Sequence, residues 1–192
     1  MERLVDYQSE SLAMSQQVEV QAKLSLVQDL VERSLASTLH LSVAMTAYIE
    51  AKDGVVEEQE VMGLMASLFD HSQGAHVRSF GLIEGATIKL VYPVEANDSA
   101  LGIDLRLVPE QWPQLLTAMN SSEGVLAGPF ELLQGGKALI YRMPIRIDGV
   151  YWGVFNTVID LDSFLSMIET SVGSSEVQLA VRNADLVLLG LP

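Results

Sequence analysis

Residues 3–52 contain neither glycine nor proline, and this run constrains the fold more than any other feature of the chain. Gln, Glu, Leu, Ala, Met and Lys predominate in it, and all of them favour helix. We therefore expect one long helix with a polar first half and an amphipathic second half. About 45 helical residues would extend roughly 65 Å, so part of the helix must leave its domain or pack on a partner chain. A heptad-like stripe with weak polar positions runs along it: Leu24, Val27, Val31, Ser34, Thr38, Leu41, Met45 and Tyr48.

The segment that follows the long helix predicts short elements of both kinds. Asp53-Gly54 is a typical helix end, and residues 57–71 predict a second helix. Residues 86–92 predict a strand with Ile88, Leu90 and Tyr92 on one face. Pro109 is expected to open a helix that runs to residue 119, with Pro113 in the first turn, where proline is tolerated.

Two turn signals predict a three-stranded antiparallel meander in the second half of the chain. Gly135-Gly136 separates residues 129–134 from 137–147, and Asp148-Gly149 separates that strand from residues 150–159. Asp160 or Asp162 can cap a following helix through residue 168. Residues 176–182 and 186–189 predict a final strand pair. Consecutive hairpins with helices on one face of the sheet give an α+β fold.

Composition excludes several classes of function. The chain has 192 residues, 25 acidic and 11 basic, with a formal charge of −14. This charge argues against nucleic acid and anionic membrane surfaces as partners, although a local Arg could still bind an anionic ligand. With no cysteine there is no disulfide framework or Cys-based metal site. No apolar run approaches the ~18–20 residues of a membrane span, and the first residues lack the pattern of a signal peptide.

The polar motifs do not indicate an enzyme, a metal site or a cofactor site. His40, His71 and His76 lack a zinc-ligand spacing. The segment 134–138 lacks the hydroxyl residue of a phosphate-binding loop, and Asp160-x-Asp162 lacks the glycine and distal Glu of a calcium loop. We therefore expect a hairpin turn and a helix cap at the last two places, and no catalytic residues, metal ligands or cofactor in the chain.

Several segments occur together in an order that resembles the CHASE domain, the extracytoplasmic sensing module of membrane-bound histidine kinases and diguanylate cyclases. The resemblance covers roughly residues 30–185. Its parts are the helix ending near Tyr48–Ala51, Ile88–Pro93, Asn97–Asp98, Ala100–Leu105, Gly124–Leu132, the turn Gln134–Gly136, Met143–Ile145, Tyr151–Gly153 and Val158–Leu161.

The resemblance implies a stalk helix followed by PAS-like modules outside the membrane, which report on small molecules to a cytoplasmic output domain. On this basis residues 1–52 form the stalk helix and 53–160 a membrane-distal PAS-like sensing module. Residues 161–192 form a linker helix and a partial second, membrane-proximal module. The full-length protein is then expected in the periplasm, held by membrane helices that flank this chain, as a homodimer through its N-terminal helix.

The candidate ligand contacts come partly from the resemblance and partly from the residues. Similarity to plant cytokinin receptors implies roles for Asp104 and Leu126, and more loosely for Gln134 or Gly135. In the residues themselves, Arg142 interrupts an apolar strand, and Asp104 shares a face with Arg106 if residues 102–106 are a strand. The Asp104–Arg106 pair could simply face solvent, and the same alternative applies to Arg142. The full set of candidates is Tyr92, Asp104, Leu126, Phe130, Gln134, Tyr141 and Arg142.

Two functions remain open from the sequence. The first is a small-molecule sensor in which the ligand lies between the distal sheet and the loops that cover it. The second is a dimerisation or protein-partner module that binds no small molecule. A distal module without a cavity above roughly 300 Å³ would favour the second.

Overall fold

A long N-terminal helix leads into a five-stranded antiparallel sheet in the computed structural model. The structure describes residues 2–72, 76–132, 135–172, 177–182 and 185–190, and the side chains within 14–36, 39–72, 76–132 and 135–171. The α-helices are α1 (Glu2–Ala51), α2 (Glu58–His71), α3 (Trp112–Asn120) and α4 (Leu161–Val172); single turns of 3₁₀-helix span Asp98–Ala100 and Leu105–Leu107.

The strands form one large and one small sheet. The large sheet has the order β2-β1-β5-β4-β3, and β6 pairs with β7 in a two-stranded sheet. All pairs are antiparallel, as the hairpin signals predicted. The strands are β1 (Val77–Glu84), β2 (Thr87–Tyr92), β3 (Val125–Glu131), β4 (Lys137–Ile147), β5 (Val150–Asp160), β6 (Val177–Arg182) and β7 (Asp185–Gly190).

The run without glycine or proline is a single helix of 50 residues. It ends just before Asp53 and Gly54, whose φ values of 53° and 75° reverse the chain, which confirms the predicted helix end. In its second half Val27, Met45 and Ile49 are buried. Much of the predicted stripe therefore packs within the chain and is not free for a partner.

One face of the large sheet, here called the helix face, packs against α1 and α2. Four sheet residues and four helix residues form its core, because alternate side chains of each strand point to the same side. These residues are Phe80, Leu82, Ile145 and Phe155 from the sheet and Met45, Ile49, Val61 and Met65 from the helices.

The opposite face, here called the cavity face, is covered by α3 and the 3₁₀ turns. Ile83 and Val154 of the sheet pack there against Leu105 and Leu115. The expectation that helices lie on one face only is therefore wrong. The short α3 carries enough apolar surface to cover the second face.

Residues 102–106 do not form a strand, so the condition under which Asp104 and Arg106 would share a strand face is not met. Asp104 forms an isolated bridge with Thr87, and the chain then turns into the 3₁₀ helix Leu105–Leu107. The segment is nonetheless fixed to the sheet edge by backbone hydrogen bonds. The amide of Ile88 donates to Ile103 at 3.0 Å, and the amide of Gly102 donates to Ile88 at 2.8 Å.

Candidate functional site

A cavity of about 550 Å³ lies between the cavity face of the sheet and the segment that covers it. Its volume falls in the range of roughly 300–1,000 Å³ that is usual for small-molecule sites. The floor consists of strand residues, the roof is formed by residues 97–111, and β3 closes one side. The apolar lining includes Ile83, Ile88, Val91, Ile103, Leu105, Val108, Phe130, Ile140 and Val158.

A few polar side chains interrupt this apolar lining. Asn156 reaches the cavity from the central strand β5, and Gln111 reaches it from the residue that precedes α3. Glu110 and Glu131 also line the cavity and are exposed. The cavity therefore has its amide groups inside and its carboxylates toward solvent.

Arg142 lies behind this lining as a fully buried charge. Its relative exposure is 0%, and it donates to Asn156 Oδ1 at 3.3 Å and to Gln111 Oε1 at 3.0 Å. Burial lowers the pKa of Arg142 to about 10, so its guanidinium is charged at neutral pH. The guanidinium also lies 5.9 Å from the centre of the Phe130 ring, which is within cation–π distance.

Gly81 opens space on the floor of the cavity. It lines the cavity in β1, between Phe80 and Leu82, whose side chains point to the helix face. A Cβ at Gly81 would lie 3.7 Å from Asn156 Cβ and 3.8 Å from the Leu90 oxygen, which are ordinary contacts. A side chain there would fill the cavity without straining the backbone.

The structure brings together only part of the set predicted from the sequence. Phe130 lines the cavity, and Arg142 contacts three residues that line it. Leu126 does not line the cavity and is 41% exposed on the edge strand β3. Gln134 lies outside the described residues.

Tyr92 and Tyr141 lie on the helix face. The ring of Tyr92 packs edge-on against Phe69 of α2 at 5.6 Å. Tyr141 pairs with Thr157, whose hydroxyl contacts α1, and cross-strand partners project to the same side of a sheet. Neither tyrosine lines the cavity. Each is next to a lining residue in its strand, and successive residues of a strand point to opposite faces.

Asp104 lies at the edge of the roof and does not line the cavity. Its carboxylate caps the 3₁₀ helix by accepting the backbone N–H of Arg106 at 3.0 Å, and it accepts from the Arg106 guanidinium at 2.9 Å. The hydrogen bonds from the Arg106 side chain and backbone lower the pKa of Asp104. Contact between Asp104 and a ligand stays a prediction, which this geometry does not favour.

Sequence reasoning missed Asn156, Gln111 and Gly81. Asn156 carried a usable signal, because it lies between Val154 and Val158 at alternate positions of a strand and is the polar residue of the three. A polar side chain that faces the covered side of a sheet needs a partner. Gln111 carried no such signal, because only the tertiary fold brings it to Arg142.

Strand β5 connects the cavity to the long helix. Asn156 faces the cavity, and the next residue, Thr157, points to the opposite face. There the Thr157 hydroxyl lies 2.8 Å from the Ser42 hydroxyl of α1, and both residues are buried. A shift of β5 caused by a ligand would therefore reach α1 directly.

Other kinds of site find no support in the described part of the chain. No group of three or more His, Cys, Asp or Glu side chains there could hold a metal ion. No described helix is long and apolar enough to cross a membrane.

The family model of the CHASE domain matches residues 71–186, which is more than half of the chain. The chain belongs to the CHASE domain family. The matched region contains the whole five-stranded sheet, the roof and α3. No curated protein sequence matches the chain.

Three solved structures with a similar fold come from an extracellular ligand-binding receptor and from chemoreceptors. An extracellular ligand-binding receptor from Desulfohalobium retbaense DSM5692 has a TM-score of 0.68 at 17% identity, over 82% of this chain and 28% of that one. The sensory domain of the Campylobacter jejuni chemoreceptor Tlp3 has a TM-score of 0.62 at 16% identity, over 82% and 64%. The Pseudomonas aeruginosa PAO1 amino acid chemoreceptor PctC, in complex with GABA, has a TM-score of 0.59 at 18% identity, over 76% and 64%.

These likenesses show the fold of an extracellular ligand-binding sensory domain. The CHASE domain is likewise a sensor domain, so the chain is a sensory module. It spans less than two thirds of each of these three neighbours, and only about a quarter of the first.

Proposed function

We propose that this chain is the small-molecule-sensing part of a membrane-bound receptor, and that its ligand binds in the 550 Å³ cavity. The cavity carries the proposal: it is predominantly apolar, it contains a few buried polar groups, and residues 97–111 cover it. It lies in the module that residues 53–160 were expected to form. Two neighbours in the same fold were solved with isoleucine and with GABA bound, which supports a ligand of amino-acid size.

The family also supports a proposal for the location and the output of the full-length protein. CHASE domains sense outside the cytoplasmic membrane, so we place the full-length protein in that membrane with this chain in the periplasm. A histidine kinase or a diguanylate cyclase is the output domain that we propose. Signalling then requires that the ligand favours one arrangement of α1 over another, since equal affinity for both would shift nothing.

A second copy of the chain is the partner that we propose for α1. Met14 and Val18 are four residues apart on one helical face, and they are 72% and 62% exposed. An exposed apolar pair at this spacing is typical of a helix that packs on another helix. This observation also supports the alternative function, a dimerisation module that binds no small molecule.

Filling the cavity tests the sensor proposal. A panel that includes L-isoleucine, L-valine, L-serine and GABA is screened for compounds that raise the melting temperature, because a ligand that binds only the folded state stabilises it. Gly81→Leu should abolish the rise given by any hit, and Gly81→Ala should reduce it. The control Gly63→Leu adds the same side chain on the exposed side of α2, where a Cβ meets nothing within 4 Å. In this variant the ligand should still give the full rise in melting temperature.

Two results would count against the proposal. A hit whose effect survives Gly81→Leu binds somewhere other than this cavity. A panel without any hit, on a chain that forms a stable dimer, would favour the dimerisation module.

A further inference from the structure

The buried Arg142 lacks an acidic partner in the described part of the chain. Its hydrogen-bond acceptors are the neutral amides of Asn156 and Gln111, and its Nε is buried with no hydrogen-bond partner. A buried charge is normally paired with an opposite charge, because desolvation is otherwise uncompensated. The positive charge behind the cavity lining is therefore not balanced by a carboxylate in the described part of the chain.

Arg142 also fixes which end of each amide faces the cavity. A guanidinium can only donate hydrogen bonds, so it must meet the oxygen of each amide. The NH₂ groups of Asn156 and Gln111 are then left as donors, and both residues line the cavity. The two amides accept from different nitrogens of one guanidinium, at 3.3 and 3.0 Å, so a single side chain holds both of them.

The cavity thus combines amide N–H donors, a buried positive charge behind its lining and apolar walls. Resting on the function proposed above, we propose that its ligand is a small monocarboxylate, whose carboxylate accepts hydrogen bonds from Asn156 and Gln111. The apolar remainder of the ligand packs against Ile88, Val91, Ile140 and Val158. Arg142 acts as a positioning residue, because it orients the two amides and supplies the positive potential.

The surrounding charges favour one negative charge over two. A single buried cation balances a single carboxylate. Glu110 and Glu131 also line the cavity, and the whole chain carries a formal charge of −14, so a dianion such as a phosphate monoester would be repelled. The same two carboxylates can attract an ammonium group, so an amino acid with its carboxylate inward fits the same site.

Matched acids and amides provide the test. Isovalerate, phenylacetate and L-isoleucine, each with its primary amide, are titrated into the whole chain by calorimetry. We expect at least one acid to bind, and its amide to bind at least tenfold more weakly, because the amide replaces a charged acceptor with a neutral group.

Gln111→Glu changes the charge of the site without changing its shape. The new carboxylate would pair with Arg142, so the fold should be as stable as before or more stable. Affinity for the acid should fall at least tenfold, and affinity for the amide should change much less. Asn156→Asp repeats the test from β5, and Gln17→Glu, which adds the same charge on exposed α1, should change neither affinity.

The outcomes separate this inference from the sensor proposal. If amides bind as tightly as acids, or if Gln111→Glu and Asn156→Asp leave acid binding unchanged, the carboxylate proposal is overturned. In that case, neutral compounds would still support a sensor if the substitution Gly81→Leu removes their binding. If neither class binds, the carboxylate proposal fails, and the sensor proposal loses its support from this cavity.

Discussion

At the scale of single residues, one substitution can separate a structural role of Asp104 from a role in ligand binding. Its carboxylate caps the 3₁₀ helix of the roof and pairs with Arg106. Asp104→Ala should therefore lower the melting temperature at pH 7. If the residue only supports the roof, the rise in melting temperature given by a cavity ligand should survive the substitution.

The pH dependence follows from the direction of the Asp104 pKa shift. Its pKa is lowered in the folded chain by Arg106, so the contribution is fully present above the unfolded pKa of about 3.9. It is lost as the pH falls through the lower folded pKa. The difference in melting temperature between the parent and Asp104→Ala should thus be constant from pH 6 to 8 and shrink below about pH 4. If Asp104→Ala instead abolished the rise in melting temperature given by a cavity ligand, that result would support the contact between Asp104 and a ligand that was predicted from the sequence.

Single residues were predictable where the reason was local. Gly153 has such a reason in the strand β5: a Cβ there would collide with the carbonyl oxygen of Ile83, and glycine in a strand often marks a close approach of another backbone. Asp160 or Asp162 was expected to cap a helix, and the carboxylate of Asp160 accepts from the Ser163 amide at 2.8 Å. Arg142 was a candidate because it interrupts an apolar strand, but its partner Gln111 is 31 residues away in the chain and had no local signal.

At the scale of elements, one irregularity in β2 explains the misplaced tyrosine. Alternation predicted that Ile88, Leu90 and Tyr92 share a face. In the structure Leu82 pairs with Leu90 and Ile83 pairs with Ile88, so Lys89 is an extra residue in β2. A bulge of this kind moves the residues on its two sides to opposite faces. Ile88 therefore lines the cavity, while Tyr92 packs on the helix face; no sequence pattern marks the bulge.

The contact between β5 and α1 should appear as an energetic coupling. Thr157 and Ser42 form a buried hydrogen bond, so Thr157→Val or Ser42→Ala alone should lower the free energy of unfolding by about 1–3 kcal/mol. The double variant should lose less than the sum of the two, with a coupling of about 0.5–3 kcal/mol. Denaturant unfolding of the four proteins measures this coupling.

The same pair tests the path from the cavity to the helix. Amide hydrogen exchange in α1 around Ser42 should slow when a cavity ligand is added to the parent chain. In Thr157→Val this slowing should be weaker, although ligand affinity stays within a few fold because Asn156 is untouched. Strictly additive free energies, or unchanged slowing in the variant, would show that the signal does not pass through this contact.

At the scale of the whole molecule, the order of elements was recognisable because each one has a local signal. The segments Ile88–Pro93, Met143–Ile145 and Tyr151–Gly153, on which the resemblance rested, lie within residues 71–186, which the CHASE family model matches. The face of the sheet on which each helix packs was harder to predict from the sequence. Nothing local indicates that α3 packs on the face opposite α1 and α2, because packing depends on contacts between residues distant in the chain. The cavity exists only because of that placement, so its residues were predicted less completely than the fold.

The first part of α1 is where we expect two copies of the chain to meet. Met14 and Val18 are exposed, whereas the later stripe residues Val27 and Met45 are buried within the chain. Replacing both exposed residues with Glu would place like charges from two helices against each other and remove apolar contact. Met14→Glu with Val18→Glu should therefore weaken dimerisation at least tenfold, as measured by sedimentation velocity over a range of protein concentrations. Gln16→Glu lies about 200° around the helix from Met14 and should leave the dimer intact. A parent chain that stays monomeric at high concentration, or a dimer indifferent to the double substitution, would place the partner elsewhere.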